Sequence, residues 1–472
     1  MLFNSFHFLV FYIIVTSLYF ILPHKYRWVL LLIASCIFYM AFIPAYILIL
    51  LLTIVIDYCA GIFIENAINP KRKLYLVISI ITNVGVLSVF KYYNFFIQNV
   101  NAIFESCGFQ IYDLPYWKII LPIGLSFHTF QAMSYTIEVY RGNQKAEKHF
   151  FIYALYVMFY PQLVAGPIER PQNLLHQFKE EHKFSYTNLL NGLRLMLWGL
   201  FKKVVIADRL SIYADAIFTH HQNYHTAQLV IGVLCFTIQI YCDFSGYSDI
   251  AIGCAQTMGF NLMTNFNRPY LSKNIQEFWA KWHISLSSWF RDYVYISLGG
   301  NKVVQWKIYR NVAIVFLLSG FWHGANWTFI VWGAIHAFFT ITYLIVKVRL
   351  PLIARWLQSG LTGWFLTFVV VAMTWIFFRA ANVQQATSIL CRIITFDNSV
   401  QTFQAVRNFG LLSGLVGILT TIYMLLIEAF TTPHLKFFED NYLYDVLFFT
   451  FNLSLVIAFG VFQQATFIYF QF

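Results

Sequence analysis

A long apolar run near the amino terminus constrains the fold more than any other feature of this sequence. Residues 28–64 contain no Lys or Arg, and Asp57 is their one acidic residue. As a single α-helix this run would extend about 55 Å, nearly twice the ~30 Å hydrocarbon core of a bilayer. Pro44 lies near its middle, where a proline would break a helix. The run therefore predicts two membrane crossings.

Composition extends this conclusion to the whole chain. Of 472 residues, 59% are hydrophobic and 11% are charged, whereas soluble proteins carry about 25% charged residues. The apolar runs are long and continuous, unlike the short alternating segments of a membrane β-barrel. The sequence therefore predicts an all-α, polytopic membrane protein, with residues 1–472 forming a single integral-membrane domain in contact with membrane lipid.

The basic residues indicate orientation. The net charge of +11 lies in short Lys and Arg clusters between apolar runs, a pattern of membrane topology that does not suggest nucleic-acid binding. Lys25 and Arg27 precede the two crossings, and the cluster at 71–73 follows them. Both clusters should face the cytoplasm. We therefore expect a multi-pass protein of the inner membrane, with a retained first helix and an extracytoplasmic amino terminus.

About eleven transmembrane helices are expected. The first covers residues 6–22, and two more come from 28–64. Further apolar segments lie at about 75–97, 118–137, 150–165, 190–207, 228–254, 308–330, 331–347, 363–378, 411–430 and 443–468. No internal repeat is evident in the sequence.

The segment 265–301 differs from the apolar runs around it. It is too polar for a lipid-exposed span and too aromatic for an ordinary loop. Asn274 and Glu277 have the spacing of a capping box, which predicts a helix start. We expect re-entrant or interfacial helices here. Irregular backbone at membrane depth is tolerated where protein or a water-filled cavity surrounds it, so this segment predicts a nearby cavity or tunnel.

An ionisable ring in an apolar segment marks the strongest candidate for chemistry. His323 lies within such a run, where imidazole can stay neutral and act as a base near pH 7. Trp322 and Trp327 could line a passage, and Gly320 and Gly324 would let another chain or an acyl group come close. From residue chemistry alone, a catalytic base and a structural imidazole bonded to a neighbouring helix are equal alternatives.

The other histidines are weaker candidates. His336 follows His323 by 13 positions, which places it about 220° away around a straight helix, so a packing role is expected. His283 lies beside Trp279 and Trp282. Taken alone it would be an interfacial histidine of an aromatic belt, and its significance comes from the predicted cavity.

The acidic pair Asp243 and Asp249 gives no metal site. Six positions apart, the two carboxylates lie about 120° from each other on a helix, and no His stands at metal-ligand spacing. Helix capping, or a partner such as Arg291, is the expected role for either. Arg291 and Asp292 are expected to anchor the chain at the membrane interface, and His128 to be structural. Motifs for nucleotide binding, zinc hydrolysis or a serine nucleophile are absent.

Five segments, in order along about residues 121–336, carry a family resemblance. They are LPIGLSFHTFQ, FYPQLVAGPIERP, YCDFSGYSDIAIG, NFNRPYLSKNIQEFWAKWHISLSSWFRDYVYISLGGN and FLLSGFWHGANWTFIVWGAIHA. Together they resemble the membrane-bound O-acyltransferase family. The nearest branch contains the bacterial membrane subunits for O-acetylation of alginate and of peptidoglycan, and the teichoic acid D-alanyl transferase is a more distant relative.

The resemblance implies a ring of transmembrane helices around a thin centre that a tunnel crosses. It assigns the family's active-site histidine to His323 and the second histidine to His283. The side chains expected to line the tunnel or substrate path are Trp279, Trp282, Arg291, Trp322, Asn326, Trp327 and Asp243.

The resemblance also implies an activity. An acyl group, with acetyl expected, would move from a cytoplasmic thioester donor such as acetyl-CoA toward O-acetylation of an extracytoplasmic polysaccharide, alginate-type or peptidoglycan. His323 would act as general base and His283 would assist. An extracytoplasmic acetyl-transferring or esterase-like protein would be the partner, and no bound cofactor is expected. The alternatives are a transporter or flippase for an acyl carrier or lipid-linked sugar, and a scaffold for a soluble transferase.

Overall fold

The computed structural model describes residues 1–108, 114–117, 121–164, 166–396, 411–430, 442–462 and 467–468. Every regular element in these ranges is helical, as the sequence predicts. The chain divides into two compact units. The first comprises residues 1–189 and 254–262, and the second comprises residues 190–253 and 263–472.

The first unit begins with the predicted pair of crossings. Helix α2 ends at Met40, a single 3-10 turn covers Pro44–Tyr46, and α3 begins at Ile47, so the break at Pro44 is confirmed. The α-helices of this unit are α1 (Phe6–Ile21), α2 (His24–Met40), α3 (Ile47–Asn66), α4 (Lys71–Leu87), α5 (Tyr93–Ser106), α6 (Leu125–Arg141), α7 (Phe150–Met158), α8 (Tyr160–Leu163) and α9 (Pro171–Leu174).

The second unit holds most of the residues singled out in the sequence. Its α-helices are α10 (Tyr186–Leu200), α11 (Asp208–Thr219), α12 (Thr226–Thr257), α13 (Ile275–Lys281), α14 (Ile284–Phe290), α15 (Gln305–His323), α16 (Trp327–Arg349), α17 (Pro351–Leu357), α18 (Gly360–Arg379), α19 (Val383–Thr395), α20 (Leu411–Phe430) and α21 (Tyr442–Phe459). The first residues of α10 and the last residues of α12 group with the first unit.

Six helices of the described chain are long and apolar enough to cross a membrane. They are Pro44–Asn66, Lys71–Ser106, Thr226–Thr257, Trp327–Arg349, Gly360–Arg379 and Ser413–Phe430, and two shorter apolar helices cover Phe6–Ile21 and Leu443–Phe459. These helices confirm the membrane class. The expected count of eleven is not confirmed.

Several expected spans have different bounds in the structure. The segment 150–165 is broken between Met158 and Tyr160, because Pro161 starts a new short helix and cannot continue the previous one. The last expected span stops at Phe459 and does not reach residue 468. Positions 118–120, 165 and 463–466 of the expected spans lie outside the described residues.

The boundary between the spans 308–330 and 331–347 was also predicted wrongly. The turn lies at 324–326, between α15 and α16, because Asn326 caps α16 with its side-chain oxygen and the three residues leave helical geometry. The two helices form a tight antiparallel hairpin. A Cβ at Gly320 would collide with the backbone oxygen of Phe329, and one at Gly333 with that of Phe316. The space beside Gly320 is therefore filled by α16.

The segment 265–301 forms short helices, as expected. Helices α13 and α14 have seven residues each, and a π-helical turn at Arg291–Tyr295 follows them. Each is far shorter than the ~20 residues that a span requires. The predicted helix start is confirmed, since the Asn274 side chain accepts a hydrogen bond from Glu277 N at 2.8 Å. The Glu277 carboxylate accepts from Lys273 N, one residue before the cap.

Candidate active site

His323 ends α15 directly before the hairpin turn. The residue is 4% exposed, and three aromatic rings surround its imidazole. The ring centroids of Trp322, Trp332 and Phe378 lie 4.9, 5.1 and 5.2 Å from that of His323. The α15–α16 hairpin and α18 thus supply an apolar pocket wall for this imidazole.

His283 lies in the connection between α13 and α14 and is 1% exposed. Its backbone is left-handed, with φ of 45°, a conformation that costs a non-glycine residue about 1–3 kcal/mol. The residue directly precedes α14, so the helical geometry is interrupted here. Holding this imidazole in its position therefore costs the fold part of its stability.

The imidazole of His283 is held by Asn265, which is fully buried. Asn265 Oδ1 lies 3.0 Å from His283 Nδ1, and it also accepts hydrogen bonds from Ser285 Oγ at 2.9 Å and Ser285 N at 3.3 Å. Because an amide oxygen only accepts hydrogen bonds, the imidazole proton is assigned to Nδ1. This tautomer leaves Nε2 as the basic nitrogen.

Burial determines the charge of His283. The residue lies outside the six candidate spans, and burial lowers the pKa of its imidazole to about 3. The ring is therefore neutral at physiological pH. A neutral imidazole can accept a proton in a reaction, which an imidazolium cannot.

Trp322 joins the two histidines. Its ring centroid lies 6.4 Å from that of His283 and 4.9 Å from that of His323. The structure thus brings His283, His323 and Trp322 together, although the two histidines lie 40 positions apart in the sequence. Edge and face contacts of this kind fix ring positions, so Trp322 couples the placement of the two imidazoles.

An aromatic wall extends from this pair through the second unit. Trp332 packs against Trp375 at 5.9 Å, and Trp375 packs against Trp282 at 5.0 Å. Trp279 lies 5.7 Å from Trp332. Two of the tryptophans expected near the site, Trp279 and Trp282, therefore connect to His323 through Trp332 and Trp375.

His336 is placed by a hydrogen-bonded packing arrangement. The imidazole accepts a hydrogen bond from Trp279 Nε1 at 3.3 Å, and its Nε2 lies 3.0 Å from Thr374 Oγ1. The separation of about 220° expected between His323 and His336 requires one straight helix, and the structure has two. Because the hairpin turn separates His323 from His336, both imidazoles contact the Trp332 ring.

Three other expected lining residues have different surroundings. Arg291 is 64% exposed in its side chain and pairs with the adjacent Asp292 at 2.7 Å. Asn326 caps α16 and donates to the Ala381 oxygen at 2.8 Å. Trp327 is 53% exposed at the start of α16. The structure gives Arg291 and Asn326 partners of their own outside the histidine pair.

Asp243 belongs to a buried ion-pair network. Its carboxylate lies 2.6 Å from Lys203 Nζ and accepts a hydrogen bond from Ile468 N. Lys203 also pairs with Asp208 at 2.8 Å. The partner of Asp243 is thus a lysine and not Arg291. Asp249 is likewise paired with a lysine, Lys202, at 2.6 Å.

Comparison with known proteins decides the family. The model of the membrane-bound O-acyltransferase family matches residues 143–383, which include both histidines. The chain is 39% identical to the probable alginate O-acetylase of Pseudomonas aeruginosa, over 90% of this chain and 81% of the relative. The chain belongs to the membrane-bound O-acyltransferase family. It is an O-acyltransferase of the membrane, and it belongs to the branch that the ordered sequence segments indicate.

Two further relatives of this O-acyltransferase differ in their named acceptors. It is 36% identical to the peptidoglycan O-acetyltransferase of Helicobacter pylori, over 76% of this chain and 72% of the relative. It is 29% identical to the teichoic acid D-alanyltransferase of Bacillus subtilis, over 48% of this chain and 60% of the relative. The family is thus shared by proteins named for different acyl groups and acceptors.

The structure adds residues to the candidate site that sequence reasoning missed. They are Asn265, Ser285, Trp332, Trp375 and Phe378. Nothing in the local sequence singles out the aromatic residues, because the chain is 20% aromatic. Asn265 stands in a polar stretch with other asparagines, and only its contact across 18 positions distinguishes it.

Proposed function

We propose that this O-acyltransferase transfers an acetyl group from a cytoplasmic thioester donor, acetyl-CoA or a similar carrier, for O-acetylation of an extracytoplasmic polysaccharide. The observation that carries the proposal is the pair of buried imidazoles, His283 and His323, both against the Trp322 ring within the segment that matches the family. The relatives named for O-acetylation of alginate and peptidoglycan support acetyl as the acyl group and a polysaccharide as the final acceptor.

The reaction assigns a role to each imidazole. His323 takes the proton from an acceptor hydroxyl as its oxygen attacks the thioester carbonyl carbon. The carbon–sulfur bond then breaks, the acetyl group becomes an ester on the acceptor oxygen, and the proton passes to the departing thiolate. His283, neutral and fixed in one tautomer, positions the reactants and assists the proton transfer.

The charge distribution along the hairpin supports the direction of transfer. Because α15 and α16 are antiparallel, the first residues of α15 and the last residues of α16 lie together at one end of the hairpin. His323 lies at the other end, about 28 Å away along α15. The first end carries Lys302, Lys307, Arg310, Lys347, Arg349 and Arg355, and residues 293–396 contain no acidic side chain. The positive-inside rule favours this end as cytoplasmic. Its positive charge would attract a phosphate-bearing donor.

A partner protein completes the proposal. His323 lies toward the end that this orientation makes extracytoplasmic, so the acetyl ester would leave on the outer side. An extracytoplasmic acetyl-transferring or esterase-like protein would then carry the acetyl group onward to the polysaccharide.

The proposal is tested by replacing the histidines in cells whose polysaccharide O-acetylation depends on this protein. His323→Ala should abolish the alkali-labile acetate of the envelope or secreted polysaccharide, since the acceptor hydroxyl loses its base. His283→Ala should lower it. The amount of each variant in the membrane fraction is measured in parallel.

A matched control separates chemistry from folding. His128, on α6 in the first unit, is as deeply buried as His283, so His128→Gln tests the effect of changing a buried histidine elsewhere. Acetylation should persist in this variant. Wild-type acetylation in the His323→Ala strain would contradict the role of His323 as the base.

A further inference from the structure

We propose that Asn265 is a positioning residue that acts through His283, fixing the tautomer and orientation of its imidazole for acyl transfer. The inference rests on the proposed function of His283. It concerns the side chain of Asn265, which lies 18 positions before His283 in the sequence and has no expected role in the chemistry itself.

The orientation of the Asn265 amide is determined by its neighbours. The Ser285 backbone N–H can only donate, and it points to Oδ1 at 3.3 Å. On the other side, Nδ2 donates to Ser248 Oγ at 3.1 Å. The oxygen therefore faces His283, and the amide nitrogen faces α12. An amide rotated by half a turn would place two N–H groups against the Ser285 N–H and would lose this pairing.

This orientation fixes one imidazole tautomer. Asn265 Oδ1, 3.0 Å from His283 Nδ1, requires the ring proton on Nδ1 and leaves the lone pair on Nε2. A carboxylate in this place would stabilise the imidazolium as well. The amide instead fixes the tautomer without adding a negative charge, so the ring stays neutral with its lone pair on Nε2.

Asn265 also holds the backbone on which His283 stands. Its carbonyl oxygen accepts a hydrogen bond from Ile284 N at 2.8 Å, and Asn267 N donates to Lys281 O at 3.0 Å. Asn265 thus contacts the ring of His283 and both residues that follow it. A left-handed non-glycine residue persists where its surroundings over-determine it, and Asn265 supplies these restraints.

Among the described residues, three other neighbours of the ring do not replace Asn265 in this role. Phe244 meets the imidazole edge-on at 4.6 Å, and Phe266 stacks at 6.3 Å. These rings restrict where the imidazole lies, but neither offers an oxygen acceptor to Nδ1. The Ser285 hydroxyl, 3.5 Å from Nδ1, is itself bonded to Asn265 Oδ1. The tautomer therefore depends on the amide.

A double-mutant cycle tests the proposal on the purified full-length protein with radiolabelled acetyl-CoA and a soluble hydroxyl acceptor. Asn265→Ala should lower kcat about 10- to 100-fold, the loss expected when a catalytic group is misplaced, with the donor KM little changed. If Asn265 acts through His283, the double variant Asn265→Ala/His283→Ala should be no slower than His283→Ala alone. A merely structural role would make the two losses multiply.

Asn311→Ala is the matched control. Asn311 is also fully buried in the second unit, and it donates to the Leu298 and Gly300 carbonyls. Any loss of kcat in this variant should multiply with that of His283→Ala. If Asn265→Ala does not accumulate, the near-isosteric Asn265→Leu, which also offers no acceptor to His283 Nδ1, takes its place in the same cycle.

The outcomes separate this inference from the proposed function. The role of Asn265 alone would be overturned if His283→Ala is impaired while Asn265→Ala keeps the wild-type kcat. Losses of kcat that multiply in the double variant would overturn it as well. A His283→Ala variant with wild-type kcat would contradict the proposed role of His283 and, with it, the inference.

Discussion

At the scale of single residues, His283 combines two unfavourable features. It has a left-handed backbone and an imidazole that burial keeps uncharged at neutral pH. Its contacts with Asn265, Phe244 and Trp322 hold the ring in place. A fold that holds an uncharged imidazole this firmly can position the reactants without the cost of reorganisation during the reaction.

The lowered pKa of His283 predicts how stability changes with pH. The folded imidazole has a pKa of about 3 and the unfolded one about 6.5. Below pH 6.5 the unfolded chain binds a proton that the folded chain does not, so stability falls as the pH falls. Between pH 7.5 and pH 5, this residue alone should cost the wild type about 2 kcal/mol.

Thermal unfolding of wild type and His283→Gln at the two pH values measures this difference. The variant should lose less stability on acidification than the wild type, because other titrating groups are common to both proteins. Equal losses would show that His283 is protonated in the folded protein.

The sequence singled out the two histidines of the candidate site but not the residues that surround them in the fold. An ionisable ring in an apolar run stands out, and the family resemblance assigns both positions. Asn265 could not be found in this way, because an asparagine in a polar stretch is usually a turn residue. Its role depends on a contact with His283 that only the folded chain brings together.

At the scale of elements, the α15–α16 hairpin sets the position of His323. Gly320 and Gly333 face each other across the hairpin, and each lies against backbone of the opposite helix. The close approach keeps Phe329 against Gly324 and Trp332 against His323. The glycines serve the packing of two helices, where the sequence suggested room for an acyl group.

The hairpin predicts a strong effect of one methyl group. Gly320→Ala should lower the free energy of unfolding by about 1–3 kcal/mol, because the new Cβ meets a backbone oxygen that cannot move aside without parting the helices. Acetyl transfer should fall as well, since His323 lies one turn away. Chemical or thermal unfolding in detergent measures the first effect.

Gly85→Ala provides the comparison. Gly85 lies within α4, and a Cβ there would meet no atom within 4 Å. Removing a helical glycine without a clash should leave stability unchanged or raise it by about 0.5–1 kcal/mol. If Gly320→Ala were as stable as Gly85→Ala, the hairpin would be less tightly packed than the structure indicates.

Some helix boundaries were predictable from residues that break or cap a helix, and others were not. Pro44 marks a break that the structure confirms. The turn at 324–326 was missed because Gly324 and Ala325 lie in an apolar run and Asn326 reads as an ordinary polar interruption. Its capping bond to Thr328 N is what ends one helix and starts the next.

At the scale of the whole molecule, apolar surface and paired charge are consistent with a membrane protein. Large apolar side chains such as Leu352, Leu361 and Phe6 are more than 70% exposed, which is stable only against lipid or another apolar surface. Buried lysines in the second unit, by contrast, have acidic partners within 3 Å, as buried charges require. Composition alone predicted the exposed apolar surface. The pairing of the buried lysines could be seen only in the folded chain.

His323 is the proposed base of the acetyl transfer by this chain. The most direct measurement uses purified protein in detergent, radiolabelled acetyl-CoA and a soluble hydroxyl acceptor, with no membrane gradient. We expect the wild type to form labelled ester and His323→Ala to form it at least about 100-fold more slowly, at equal amounts of folded protein. Ester formation by His323→Ala at the wild-type rate would contradict the account.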